Sequence, residues 1–529
     1  MTTKIVITVL YFLVLFALGI WASRRVRDMK DYYVAGKGLG YWMVSFSSRA
    51  TGESGWLLLG LTGFGFAFGM KGFWVVLGEM MGVTLCWVFL TQRFKVLTDH
   101  YDSITVTDYL SDRLGDTRHL VRVVATLSLV IFVTAYVAAQ FNACGKAFSG
   151  FFGLEHTTGV VIGVALVGFY TVAGGFLAVV WSDFIQGILM FLGLVAVPLV
   201  ALVVVGGPGE LISGLAAVQT EGLTSGTDLL SPWGGEFSAS ALMGAIVLVS
   251  IGCGFLGSPQ LFVRFISIRD VREIGPGSLV AVLFTLLTDC GAVLTGMCGR
   301  VLVQRNDAVD QLREMAGGAE IASAKEQILP YLSEVLFPEM LTGILVAIVL
   351  AAIMSTADSL LILVSSAVVR DIWNRTLGVE MTDDQARTRA RVVTLVTCLV
   401  ALGFSLDKES VLFSLVLFAW TGITATFCPP LILSLFWKGL TRAGAVASMC
   451  WGLFWTFVWT LQTGEGDAAA HWVTVMLWEG FDGSAEEAML PAFGGALLVA
   501  VLVSLFTSPP EDADEVMAMT REKVVDVWR

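Results

Sequence analysis

The sequence predicts an all-α integral membrane protein of about thirteen transmembrane helices, and three observations carry that expectation. Of the 529 residues, 56% are apolar and only 14% charged, with a mean hydropathy of +0.79. A soluble chain of this length needs about 25% charged residues to wet its surface. Apolar stretches of about 20 residues, the length of helix that crosses the hydrocarbon core, recur from one end to the other. Lysine and arginine, finally, sort between the intervening loops into two unequal sets.

The first stretch, 4–22, ends in Arg24, Arg25 and Arg27 rather than in a small-residue cleavage site, so it reads as a retained helix. The other spans are expected near 41–66, 73–92, 121–148, 157–174, 180–204, 238–266, 276–299, 338–366, 391–406, 411–436, 443–461 and 487–507. One set of loops, with the tail through Arg529, holds 23 basic residues. The other holds eight (Lys4, Lys71, Lys146, Arg300, Arg305, Arg313, Lys325 and Lys408), and Arg49 lies inside a span. The positive-inside rule then puts the N-terminus outside and the C-terminus in the cytoplasm of a cell membrane, as an odd number of spans requires.

The segments between spans carry little. The outer loop 206–237 lacks basic residues and is rich in Gly, Ser and Thr; the outer segment 300–337 alternates acids, bases and apolar residues and reads as a short surface helix. The tail 508–529 is too short for an enzymatic or sensor domain. Although the formal charge is −12, the acids cluster in loops and tail, where water solvates them. The eight cysteines form no C-x-x-C pair and the four histidines are scattered, so neither disulfides nor a histidine metal site is expected. No Walker A loop offers coupling to ATP.

Two spans are interrupted at their middles. The second contains Ser47-Ser48-Arg49-Ala50-Thr51-Gly52-Glu53-Ser54-Gly55, and the seventh Gly252-Cys253-Gly254-Phe255-Leu256-Gly257-Ser258-Pro259. Glycine and proline at mid-membrane free backbone groups that lipid cannot satisfy, so such stretches line protein-enclosed cavities. A matching pair five spans apart points to an inverted-repeat transporter with its site at the midplane. The expected division is an extra helix and loop (1–40), a first repeat (41–205), the outer loop (206–237), a second repeat (238–436), two C-terminal helices (437–507) and the tail (508–529).

Three constellations in the spans can carry chemistry. Ser355, Thr356, Asp358 and Ser359 put hydroxyls and a carboxylate on about one helical turn, the oxygen-rich surface that a hard cation needs. Those hydroxyls could equally satisfy themselves on preceding carbonyls. Asp183 is a carboxylate with apolar sequence after it, which marks an ion or proton route or else a helix cap; Asp289 poses the same choice. Arg49 and Glu53, four residues apart, either neutralise one another or face a solute carboxylate and a proton.

With these residues in view, the chain resembles the sodium/solute symporter family, and within it the sodium/proline symporters. The likeness rests on the run Ser54 to Leu61, on Gly174 to Asp183, and on Pro259 with Arg264-Phe265. It also includes Ala351 to Thr356 and Leu440 to Ala445, and it spans nearly the whole length. It implies a LeuT-like core of two inverted five-helix repeats, with one extra helix before and two after. It implies a common sodium site of carbonyls matching Ala50, Glu53 and Ala352 and hydroxyls matching Ser355 and Thr356. A second sodium, found in some members, would lie by Asp183 with Ser355, Asp358 and Ser359. A proline-type pocket would fall near Tyr136, Phe255, Pro259 and Trp56.

The chain also departs from that pattern. Proline symporters carry an aspartate where it has Gly52, an uncharged residue at Glu53, a small one at Arg49 and often tryptophan at Ile251. The expected function is sodium-coupled symport of a small organic solute, an amino acid such as L-proline, by alternating access, with no covalently bound cofactor, no nucleic acid and no protein partner. Proton coupling through Glu53 or Asp183 is the alternative within transport, and a solute-binding membrane sensor the alternative outside it. A membrane enzyme is disfavoured because no nucleophile–base or metal-ligand grouping is visible.

Overall fold

In hydrocarbon a backbone N–H or C=O finds a partner only within its own segment, so a chain this apolar must traverse as helix. In the computed structural model the described residues are 2–25, 28–218, 227–318, 324–408, 410–462 and 485–528. Arg27, Arg529, residues 219–226 of the outer loop and 319–323 of the outer segment lie outside them. Regular structure among the described residues is helical, apart from a single bridge between Leu39 and Ile268.

A helix stands at every predicted span position. Span 1 is Thr2–Ser23, and span 2 is Tyr41–Gly52 followed, after a break, by Trp56–Leu61 and Thr62–Phe68. Span 3 begins at Phe73–Leu85 and runs on to His100, and span 4 is Leu120–Phe152. Spans 5 and 6 share His156–Val205, in which Gly175 leaves the helix at φ 63°, ψ −172°. Only glycine fits there: the backbone is left-handed, and a Cβ would sit 2.7 Å from the Tyr32 ring. Span 7 is Ala239–Ser250 and Ile251–Leu256, then Pro259–Ser267; span 8 is Ile274–Arg305. Span 9, Glu339–Ser366, continues through Ala367–Thr376. Spans 10 to 13 are Asp383–Phe404, Leu412–Phe436, Arg442–Gln462 and Met489–Leu505. Span 3 extends eight residues beyond its expected end because Thr91–His100 is amphipathic and packs its apolar side inward, and span 9 runs ten residues further, to Thr376.

Polarity is distributed as in a membrane protein. Phe169, Val203 and Leu399 are 71%, 77% and 66% exposed, whereas Asp183, Asp289, Asp358 and Glu53 are buried. Lipid accepts the first group and rejects the second. Spans 9 and 11 form the centre, with 83% of their apolar stretches buried, against 33% for span 1 at the rim. The outer loop contains a helix, Pro208–Ala216, started by its N-terminal proline. Among its described residues the outer segment carries the α-helices Val309–Met315 and Ile328–Leu336, and the second is mostly buried rather than lying on the surface. The tail forms Ala513–Trp528, tethered by Lys438 to Asp514 at 2.7 Å.

Candidate functional site

The two interruptions create the site, and each depends on a neighbouring span for its freed backbone groups. In span 2 helical geometry ends at Glu53 (φ −90°, ψ 66°). The Gly55 N–H then donates to Gln140 Oε1 of span 4 at 3.1 Å, and Gln140 Nε2 donates to Ser54 Oγ at 3.3 Å. In span 7 the Ile251 carbonyl accepts from the Trp420 indole of span 11 at 2.9 Å, and the Gly254 carbonyl accepts from Ser258 Oγ at 2.6 Å. The chain can leave the helix at mid-membrane because these partners replace the lost hydrogen bonds.

Span 9 lies across the break in span 2, with its hydroxyls on that span's last helical carbonyls. Ser355 Oγ donates to the Ala50 carbonyl at 2.9 Å and stands 3.1 Å from that of Ala352. Thr356 Oγ1 donates to the Thr51 carbonyl at 3.0 Å and stands 3.3 Å from Ala352 O. Five oxygens from two spans thus converge, four of them on residues singled out in the sequence and the fifth on Thr51. Among the contacts described, those of Glu53 run to Arg49.

One turn along span 9, the expected second ion position holds an internal cation. Arg264 NH2 donates to Asp183 Oδ2 at 2.7 Å and to Ser359 Oγ at 2.5 Å, and Arg264 Nε donates to Ser47 Oγ at 2.7 Å. Ser47 Oγ in turn donates a hydrogen bond to Asp183 Oδ2 at 2.7 Å. Asp358 accepts from the Tyr170 hydroxyl of span 5. Asp183, Asp358 and Ser359 are therefore together, as the sequence suggested. The Arg264 guanidinium stands among them with one N–H group on a single oxygen of Asp183 and on Ser359 Oγ, so a positive charge faces the position where the resemblance implies a second sodium.

A third group surrounds Arg49. Its guanidinium is ion-paired with Glu53 and lies 4.7 Å from the centre of the Phe255 ring, with Glu79 Oε2 at 3.8 Å. Glu53, Glu79 and Asp289, from spans 2, 3 and 8, bring carboxylate oxygens within 4.8 Å of one another, all buried. Glu79 reaches this position because span 3 lies backbone-to-backbone against span 7. A Cβ on Gly252 would stand 1.9 Å from the Gly78 carbonyl, and one on Gly82 2.1 Å from that of Gly252. Small residues one turn apart allow that approach.

Beside this group is a narrow pocket of about 10 Å³ between spans 2, 3, 7 and 11. Gly52, Trp56, Glu79, Phe255, Phe413 and Trp420 line it. Trp56 and Phe255 were expected there, but Tyr136 and Pro259 are not among the lining residues. Tyr136 stands one layer back, with its hydroxyl 3.4 Å from Ser54 Oγ and its ring edge-on to Trp420. Pro259 starts the second half of span 7. Glu79, Phe413 and Trp420 escaped sequence reasoning. Glu79 alone had a usable signal, as a lone carboxylate in an apolar run.

The sequence profile described as "Sodium:solute symporter family" matches residues 32–452. The chain is 32% identical over 497 residues to the high-affinity proline transporter PutP of Bacillus subtilis (strain 168), covering 94% of this chain and 96% of that one. It is 30% identical over 536 residues to the sodium/proline symporter of Staphylococcus aureus (strain JH9), covering 98% and 97%. Among solved structures, a Na+-coupled sialic acid symporter in a substrate-bound outward-open state superposes with a TM-score of 0.72 at 18% identity, covering 96% of this chain and 98% of that one. MhsT in complex with L-phenylalanine does so with a TM-score of 0.51 at 16% identity, covering 88% and 98%. These two establish the LeuT-like fold.

Proposed function

The chain belongs to the sodium:solute symporter family, and from that premise we propose that it carries L-proline or a closely related amino acid, with sodium bound between spans 2 and 9. Sodium-coupled symport, a multi-pass membrane location and a small-molecule solute follow from the family. The solute's identity and the residues that hold each partner are our reading. The observation that carries it is the meeting of Ser355 and Thr356 with the carbonyls of Ala50, Thr51 and Ala352 at 2.9–3.3 Å. These are hard, mostly uncharged oxygen donors, suited to a monovalent cation, and the two spans that supply them belong to different repeats.

Each hydroxyl now donates its proton to a carbonyl. With sodium in place the hydroxyls rotate to present lone pairs, and the ion replaces the hydrogen bonds as the tie between spans 2 and 9. That tie favours whichever arrangement holds the spans together, which is how a bound ion shifts an alternating-access equilibrium. Solute then fills the pocket between spans 2, 3, 7 and 11. Its walls now leave room for little more than a water molecule, so they part to admit a solute and close again on it. We read 41–205 and 238–436 as the two repeats, the N-terminus as outside and the C-terminus as cytoplasmic.

The test is uptake of labelled L-proline by proteoliposomes under an imposed sodium gradient. Sodium should stimulate uptake severalfold over a potassium control. A pH gradient in sodium-free buffer should not. Proline uptake driven by protons alone would overturn the ion assignment, and sodium-driven uptake of other solutes but not proline would overturn the solute.

A further inference from the structure

We infer that Glu79 is the residue that selects the solute by receiving its positively charged nitrogen, so that the transported class is amino acids and related ammonium compounds rather than nitrogen-free carboxylates or sugars. The inference rests on the reading above, in which the solute occupies the pocket between spans 2, 3, 7 and 11.

Charge balance is the first argument. Three buried carboxylates, Glu53, Glu79 and Asp289, face a single guanidinium, that of Arg49. Arg49 is committed to Glu53, and its approach to Glu79 Oε2, at 3.8 Å, is beyond hydrogen-bond reach. Glu79 Oε2 is enclosed and has no hydrogen-bond donor among the described residues. Glu79 and Asp289 also hydrogen-bond to each other, which takes one shared proton. Two negative charges then still face the one guanidinium, so the group is short of one further cation.

The pocket is the second argument, and it is independent of the charge count. Glu79 is the one acidic side chain lining a cavity whose other walls are half aromatic (Trp56, Phe255, Phe413 and Trp420) and otherwise Gly52, Ile251, Val416 and Leu417. Aromatic faces attract a cationic nitrogen through the ring quadrupole, and tryptophan does so best. An aromatic enclosure with one carboxylate matches an ammonium group in both shape and charge. It offers a sugar's hydroxyls few partners, and it repels a carboxylate from Glu79. Glu79 is also held rigidly, since the Gly78–Gly252–Gly82 contact fixes span 3 against span 7.

The experiment compares L-proline with tetrahydrofuran-2-carboxylate, its isostere with oxygen in place of the ring nitrogen. Glycine betaine, lactate and myo-inositol complete the panel. Sodium-driven uptake is measured in proteoliposomes of the full chain and of Glu79→Gln and Glu79→Asp. The parent should prefer L-proline to the isostere by at least tenfold in KM. Glu79→Gln should raise the KM for proline at least tenfold and bring the two ligands close together, while the sodium concentration for half-maximal uptake stays within twofold. Glu79→Asp should keep the preference at weaker affinity. Equal uptake of proline and the isostere by the parent overturns the inference and needs no variant to fold. So does an unchanged proline KM in Glu79→Gln, sodium-driven uptake of only nitrogen-free solutes, or a shift in sodium requirement in place of solute KM. If sodium drives uptake of no panel member, the symport reading itself falls, and the inference with it.

Discussion

At the scale of single residues, Ser355 and Thr356 make the sharpest claim. Each hydroxyl reaches a carbonyl of span 2, and each is buried, so removing it takes a donor oxygen from the ion without opening the site to water. A polar contact to a charge contributes about 1.5–3 kcal/mol. Ser355→Ala and Thr356→Ala should therefore each raise the sodium concentration for half-maximal uptake by roughly ten- to a hundredfold. The proline KM at saturating sodium should move much less. Sodium titrations of uptake decide it, and an unchanged requirement removes these residues from the site. Both were legible in the sequence because hydroxyls and a carboxylate crowd one turn of an apolar helix. Glu79 is visible only as a lone carboxylate in an apolar run, and its role was not legible, because that role comes from Glu53 and Asp289 on other spans. Nothing within Phe73–Leu85 hints at them.

Asp183 makes a second claim at this scale. Its carboxylate takes Arg264 and Ser47 in a buried network, so Asp183→Asn leaves a guanidinium short of its counter-charge. Breaking one partner of a buried pair costs about 3–5 kcal/mol, whereas replacing both with apolar groups costs far less. Asp183→Asn should lower the melting temperature in detergent markedly, and Asp183→Leu with Arg264→Met should recover much of the loss. Non-additivity of that kind is what a double-mutant cycle reads. Additive losses would mean that the two side chains act separately. The sequence identified Asp183 but not its partner, since Arg264 reads as one more cytoplasmic basic residue until the fold turns it inward.

At the scale of elements, the question is what holds the broken spans in register. Glu326, in the outer segment, caps span 11. Its Oε2 accepts from Lys146 at 2.6 Å and from the Leu412 N–H at 3.2 Å, and its Oε1 accepts from the Phe413 N–H at 3.3 Å. A carboxylate at a helix N-terminus satisfies orphan donors and complements the helix dipole. Glu326→Gln should destabilise the protein by about 1–3 kcal/mol while leaving the sodium requirement of the folded fraction unchanged, which separates a structural carboxylate from the site's own. The contact between spans 3 and 7 is stricter. Gly252→Ala would place a methyl group 1.9 Å from the Gly78 carbonyl, an atom of a helix backbone that cannot yield by rotating. That substitution should abolish uptake even where folded protein is recovered, because it pushes Glu79 away from Phe255 and Trp420. Wild-type uptake by Gly252→Ala would show that the two spans are not packed this closely. The breaks themselves were readable from glycine, serine and proline at mid-span. Their neighbours were not, because which span covers a break depends on packing between residues from 85 to 305 positions apart.

At the scale of the whole molecule, the thirteen spans were legible because lipid allows little else: a run of apolar residues either spans or fails. The orientation rests on a different force, the bias of 23 basic residues against eight between the two sets of loops. The basic set is also tied down in the folded chain. Arg122 donates to Asp108 at 3.0 Å, and Arg370 reaches the same carboxylate at 3.4 Å, joining the end of span 9 to the start of span 4. The tail is held to this side as well, by Lys438 and Asp514. All of these residues must therefore share one aqueous compartment. If that compartment is the cytoplasm, a green fluorescent protein fused after Arg529 should fluoresce in cells, and alkaline phosphatase at the same point should be inactive. The same phosphatase inserted after Gly235, in the loop on the opposite side, should be active. The reverse pattern would invert the molecule. The sodium gradient would then act from the other face, and the same site would export the solute that this reading has it import.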